Sequence, residues 1–135
     1  MLKLNGEGII LGRLASHVAK QLLMGEQVIV VNASKIVVSG KPQMVFGVYY
    51  EKRVRGDRHR GPFFPRNPDR IFWRTVRGML PDNKRGRDAI KLLRVFNDHP
   101  DEHKSVEKLG KTVESLRARH TTLRDISRML GGKSG

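Results

Sequence analysis

Residues 8–38 read GIILGRLASHVAKQLLMGEQVIVVNASKIVV, and three patterns follow one another within them. Residues 8–11 are a short apolar run of the kind that makes a strand. Leu11, Leu14, Ala15, Val18, Ala19, Leu22 and Leu23 then recur at the spacing that puts side chains on one helical face, and Gly25 supplies a stop. Val28, Ile29, Val30 and Val31 follow without a polar break, as in a strand covered on both sides. Residues 36–38 are a further β-like run, ended by Ser39 and Gly40. Strand, helix and strand in so short a stretch predict a βαβ unit. The expected fold is therefore α/β, a small central parallel sheet flanked by helices.

Beyond this stretch, Pro42 suits the first turn of a helix reaching about Lys52, where its missing N–H has no partner to lose. Residues 53–69 are rich in Arg, Gly and Pro and read as an irregular basic loop. Asp69 is expected to cap a helix over 70–80, closed by Pro81. A helix from 85 or 87 to about 92 and a strand over 94–96 come next. Residues 98–120 are polar with weak periodicity. Leu123, Ile126, Met129 and Leu130 share a helical face that Gly131 and Gly132 end. With no internal repeat and no second core, residues 1–135 read as one domain. It carries a basic loop at 53–69 and a polar segment with a helix at 98–132.

Charge gives the first indication of a partner. Lys and Arg number 27 against 13 Asp and Glu, for a net charge of +14. Self-repulsion of that size opposes compaction, so a polyanion is the expected counterpart. An anionic membrane, an acidic protein or a merely basic surface explains the charge less well, because the charge is concentrated. Residues 51–94 hold fourteen Lys and Arg against five Asp and Glu, and the rest of the chain holds 13 against eight. The absence of Cys removes disulfides and thiolate metal sites. The first residues lack the apolar core of a signal peptide, and no apolar run nears the ~20 residues of a membrane helix. A soluble intracellular protein without a membrane partner is expected.

The basic segment has a particular make-up. Arg53, Arg55, Arg58, Arg60, Arg66, Arg70, Arg74 and Arg77 occur with no lysine between the first and the last. Arginine grips phosphate with two parallel bonds and stacks on bases, whereas lysine acts as a point charge. Gly56, Gly61, Pro62, Pro65 and Pro68 let an extended backbone follow an irregular surface. Phe63 and Phe64 suit stacking on unpaired bases, and equally suit a plug that anchors the loop to its own core. Arg70, Arg74 and Arg77 share one helical face with no interleaved acid. Ile71, Thr75, Met79 and Leu80, with Phe72 and Val76 beside them, form the packing side. Lys84, Arg85 and Arg87 open the next helix, where the dipole disfavours cations unless phosphate binds there.

Four patterns suggest enzymes and fail on inspection. Gly6, Gly8 and Gly12 are one residue too widely spaced for a dinucleotide fingerprint, and the first two precede the expected strand at 8–11. Ser39-Gly40-Lys41 ends like a phosphate-binding loop, but the earlier glycine is missing and Pro42 replaces the magnesium-holding hydroxyl. His99, Glu102 and His103 match a zinc-protease spacing, yet Pro100 turns His99 off the shared helical face. Ser16 and His17 are neighbours on a helix, so their side chains diverge. No metal, cofactor, small-molecule substrate or catalysis is expected.

Three blocks resemble a known family: GEGIILGRLAS at 6–16, QVIVVNASKIVVSGK at 27–41 and RIFWRTVRGMLPDNKRGRDAIKLLRVF at 70–96. They are similar to large-subunit ribosomal protein thirteen, and RGPFFPRNPDRIFW at 60–73 looks like its archaeal and eukaryotic branch. The resemblance implies an α/β domain bound to large-subunit ribosomal RNA and neighbouring ribosomal proteins. The implied role is structural, in assembly and stability of that cytoplasmic subunit. By position it makes Arg13, Lys41, the arginines from Arg55 to Arg77, and Lys84, Arg85 and Arg87 RNA contacts. Residues beyond 101 match no block of the family. A free-standing regulator of messenger RNA would use the same basic surface, so the sequence separates these two readings poorly. A nucleotide- or metal-dependent enzyme is disfavoured by the broken motifs.

Overall fold

Val28–Val31 (β2) is buried at all four positions and stands at the centre of the architecture. The structure is a computed structural model, and it describes residues 2–54, 65–98, 107–108 and 120–130. Leu2–Asn5 (β1) and Leu93–Val95 (β4) flank β2, both parallel to it, and Glu107–Lys108 (β5) adds to the outer edge of β1. The order is β4-β2-β1-β5. Leu11–Leu23 (α1) links β1 to β2, so the expected βαβ unit is present. Leu14, Ala15, Val18 and Leu22 are its core face.

The first strand lies earlier than the apolar run suggested. Residues 8–10 connect β1 to α1. Ile9 is buried and accepts the Val37 N–H at 2.9 Å. A short apolar run looks alike in a connector and in a strand, and only its partners decide. Val37–Ser39 (β3) does not join the parallel sheet. It pairs antiparallel with His120–Thr122 (β6), a strand that starts at the last residue of the stretch read as polar with weak periodicity and for which none was expected.

Pro42–Val54 (α2) extends past the expected end and takes in Arg53. Pro68–Met79 (α3) begins inside the expected basic loop, with Pro68 in its first turn and Asn67 at the cap position. Asp69 is therefore not the cap. It lies within the first turn, where its charge suits the helix dipole, and its N–H donates to Asn97 Oδ1 at 2.9 Å. Of the loop, residues 55–64 lie outside the described residues. Lys84–Ile90 (α4) starts just before the expected position, because Asn83 caps it by accepting the Gly86 N–H at 3.1 Å. Leu123–Met129 (α5) buries Leu123 and Ile126, but Met129 is exposed, as is Met79 on α3. Both methionines were expected to pack, and both sit at the edge of a face whose centre is already filled by other side chains.

α1 ends as Gly25 predicted. Gly25 has φ +84°, its N–H donates to Leu22 O at 3.0 Å, and Glu26 N–H donates to Gln21 O at 3.1 Å. This double closure satisfies the last carbonyls and needs a left-handed residue. Gly25→Ala is expected to cost about 1–2 kcal/mol, read as a lower denaturant midpoint at unchanged slope.

Candidate nucleic-acid interface

α3 has two faces. Ile71, Phe72 and Val76 are fully buried and pack towards α1 and α5. Arg70, Arg74 and Arg77 are exposed on the opposite side. The Arg70 guanidinium lies 5.6 Å from the centroid of the Trp73 ring, close enough for the ring to steady it. The helix stops where Leu80 turns extended, is buried, and donates its N–H to Arg77 O at 3.2 Å.

The next three residues bring the chain back on itself. A Cβ on Gly86 would overlap the Pro81 carbonyl oxygen, so only glycine allows α4 to lie this close to the turn. The result is an open cleft of about 520 Å³ between the end of α3 and the start of α4. Arg74 and Arg77 line it from α3 and Arg87 from α4, with Trp73, Gly78 and Asp82 between them. Among the described residues, no carboxylate forms an ion pair with Arg77 or Arg87.

The other expected contacts are spread over the molecule. Arg70 is one turn before Arg74 on the same face, and Arg66 is exposed just ahead of α3. Lys84 is exposed at the start of α4 and does not line the cleft. Arg85 turns towards α1, where its Nη2 donates to Leu23 O at 3.3 Å, a favourable place for a cation at a helix C-terminus. Arg13 is exposed on α1. Lys41 lines a different cleft of about 350 Å³ with Met44, Val48 and Lys52 of α2. Arg53 belongs to the last turn of α2. Arg55, Arg58, Arg60, Phe63 and Phe64 lie outside the described residues.

Sequence reasoning missed Trp73, Asp82 and Gly86 as parts of one place. Only Trp73 had a visible signal, at three residues from Arg70 on the arginine face.

Contrary to expectation, Gly6 and Gly8 follow a strand and precede a helix, with Gly12 in the first turn of α1, because β1 is at Leu2–Asn5. Their spacing is still too long for a dinucleotide loop, and four amides of the turn are already engaged. Gly6 N–H donates to Val31 O at 2.9 Å, Glu7 N–H to Asn5 Oδ1 at 3.0 Å, Gly8 N–H to Lys35 O at 3.1 Å and Ile9 N–H to Gly6 O at 3.2 Å. Ser16 Oγ donates to Arg13 O at 3.0 Å, away from any pairing with His17. His99, Glu102 and His103 lie outside the described residues. Among the described residues no group of three or more His, Asp or Glu could hold a metal ion, and no helix is long and apolar enough to cross a membrane.

Fold and cleft define a small basic α/β protein in which three arginines of one helix and the helix after it line a single cleft. The chain belongs to the Ribosomal protein L13 family, whose profile matches residues 1–102. It is 48% identical to large ribosomal subunit protein uL13 of Archaeoglobus fulgidus, over 95% of this chain and 86% of that protein. It is 45% identical to the protein of that name from Methanococcoides burtonii and 40% to that from Methanocaldococcus jannaschii, each over 98% of this chain and 99% of the relative. These alignments run through the residues beyond 101, which had matched no recognised block. The family is one of ribosomal structural proteins and not of enzymes.

Proposed function

We propose that the chain is a structural constituent of the large ribosomal subunit in the cytoplasm. In this reading it folds as one domain, binds large-subunit ribosomal RNA through the arginine face of α3 and the turn into α4, and supports assembly and stability of the subunit. The observation that carries it is the convergence of Arg74, Arg77 and Arg87 on one cleft, in a chain whose relatives are named as large-subunit proteins. The helix and the capped turn hold the arginine backbones in fixed relation, and the planar guanidinium fork loses less freedom per hydrogen bond formed than a lysine would. Each phosphate neutralised releases counterions, which makes the affinity steeply salt-dependent. Arg70, Arg66, Lys84, Arg13 and Lys41 extend the contact beyond the cleft, together with the arginines and phenylalanines at 53–64. Neighbouring ribosomal proteins are the further partners.

Sedimentation tests this directly. A tagged chain expressed in an archaeal host is expected to travel with the large subunit and to remain there after a high-salt wash, because many contacts must break together. Migration as free protein at modest salt would overturn the ribosomal reading and favour a free-standing RNA regulator.

A further inference from the structure

Asp82 is the odd member of the cleft. Three arginines, Arg74, Arg77 and Arg87, share it with one carboxylate. A site that handled phosphate alone would be weakened by that carboxylate, since like charges repel. A nucleotide, however, also brings a base, and a base edge carries hydrogen-bond donors that a carboxylate can accept.

Guanine matches this set of groups better than the other bases. Its Watson–Crick edge presents N1–H and the N2 amino group side by side, two donors for the two oxygens of a carboxylate. Its other edge presents O6 and N7, the pair that a guanidinium grips with two N–H bonds. Adenine and cytosine place an acceptor beside their amino group, and uracil flanks its one N–H with two carbonyls, so each sets an acceptor against the Asp82 oxygens. The remaining walls suit a flat ring. Trp73 supplies an aromatic surface, and the space above Gly78 is open, since a Cβ there would meet nothing within 4 Å. Single-stranded bases are commonly bound by such stacking. A volume of about 520 Å³ is ample for one nucleotide.

We infer that this cleft takes one unpaired guanosine of the RNA, its base edge read by Asp82 and its phosphate held by the arginines. The inference rests on the RNA-binding reading of the same surface and adds to it a base preference.

Trp73 is the only tryptophan of the chain, so its emission reports on the cleft. The full chain is titrated with the five-nucleotide RNAs U-U-X-U-U, where X is guanosine, inosine, adenosine, cytidine or uridine. Guanosine is expected to quench Trp73 and to bind at least about fivefold more tightly than adenosine, cytidine or uridine. Inosine, which lacks the N2 amino group, is expected to fall between. Asp82→Ala, an exposed change whose fold is verified by its melting curve, is expected to bring guanosine within about twofold of uridine. Equal affinity for all five RNAs overturns the inference. So does a uniform tightening by Asp82→Ala, which would mark Asp82 as a counter-ion to the arginines. If large-subunit RNA still binds with an arginine-dependent salt slope, the guanosine site alone has failed. If that RNA shows no salt-sensitive binding either, the RNA-binding reading has failed with it.

Discussion

Large-subunit RNA is expected to bind the double variant Arg74→Ala, Arg77→Ala about thirtyfold more weakly than the parent chain. Both side chains are exposed on the face of α3 opposite its packing residues. A hydrogen bond to a charged group contributes more than a neutral one, and about 1 kcal/mol from each arginine gives that factor. The salt dependence is the sharper readout. The slope of log affinity against log salt should fall by about 0.9 for each phosphate no longer neutralised on double helix and about 0.7 on single strands, so roughly 1.4–1.8 for the pair. Thermal stability should change by less than about 1 kcal/mol, because both side chains are exposed and only Arg77, in the last turn of α3, adds a small dipole contribution. An unaltered slope in both single variants and in the double would mean that water, not RNA, is the partner of this face.

Gly86→Ala is expected to act on the fold. The added methyl would overlap the Pro81 carbonyl oxygen, and this obstacle is backbone, which cannot rotate aside. Either α4 moves away from the turn or the turn opens. Overpacking of this kind costs about 3 kcal/mol, and in a chain of this size the melting temperature should drop by roughly 10 °C. Because α4 carries Arg87, the cleft should also lose its third arginine, and RNA affinity should fall together with stability. The contrast with the arginine pair is diagnostic, since there the two properties separate. A glycine variant that melts like the parent would show that the turn adapts without cost.

Much of this could be read from the sequence where one element imposes its own period. α1 and β2 are sustained patterns with clear ends, and the arginine face of α3 follows from residues at four- and three-residue steps. The failures have a common cause, which is pairing with distant chain. β1 is only LKLN and was hidden by the more apolar Ile9 and Ile10, whose backbone pairs with Val37 of β3. β6 is HTT, unremarkable by itself and ordered by the register Val37–Thr122 and Ser39–His120. The same applies within the interface. Arg85 looks like its neighbours in sequence, but its guanidinium reaches a carbonyl 62 positions away. The cleft exists because a turn folds α4 back over Pro81, and no periodicity encodes that. Besides Trp73, Asn83 was an overlooked local clue, an N-cap residue three positions before the amide it accepts from.

The partnership of β3 with β6 bears on how the molecule is made. Leu123 N–H donates to Ile36 O at 2.8 Å, and Leu123 and Ile126 are sealed in the same apolar cluster as Ile71 and Phe72 behind the arginine helix. During synthesis, those late residues are still to be added when the arginine helix emerges from the translating ribosome. Until they arrive, its inner side has exposed apolar surface and its outer side has unneutralised charge, a combination prone to clumping. Contacts so far apart along the chain also close slowly. A newly made copy therefore passes through a vulnerable interval in which a chaperone or early capture by nascent RNA would protect it.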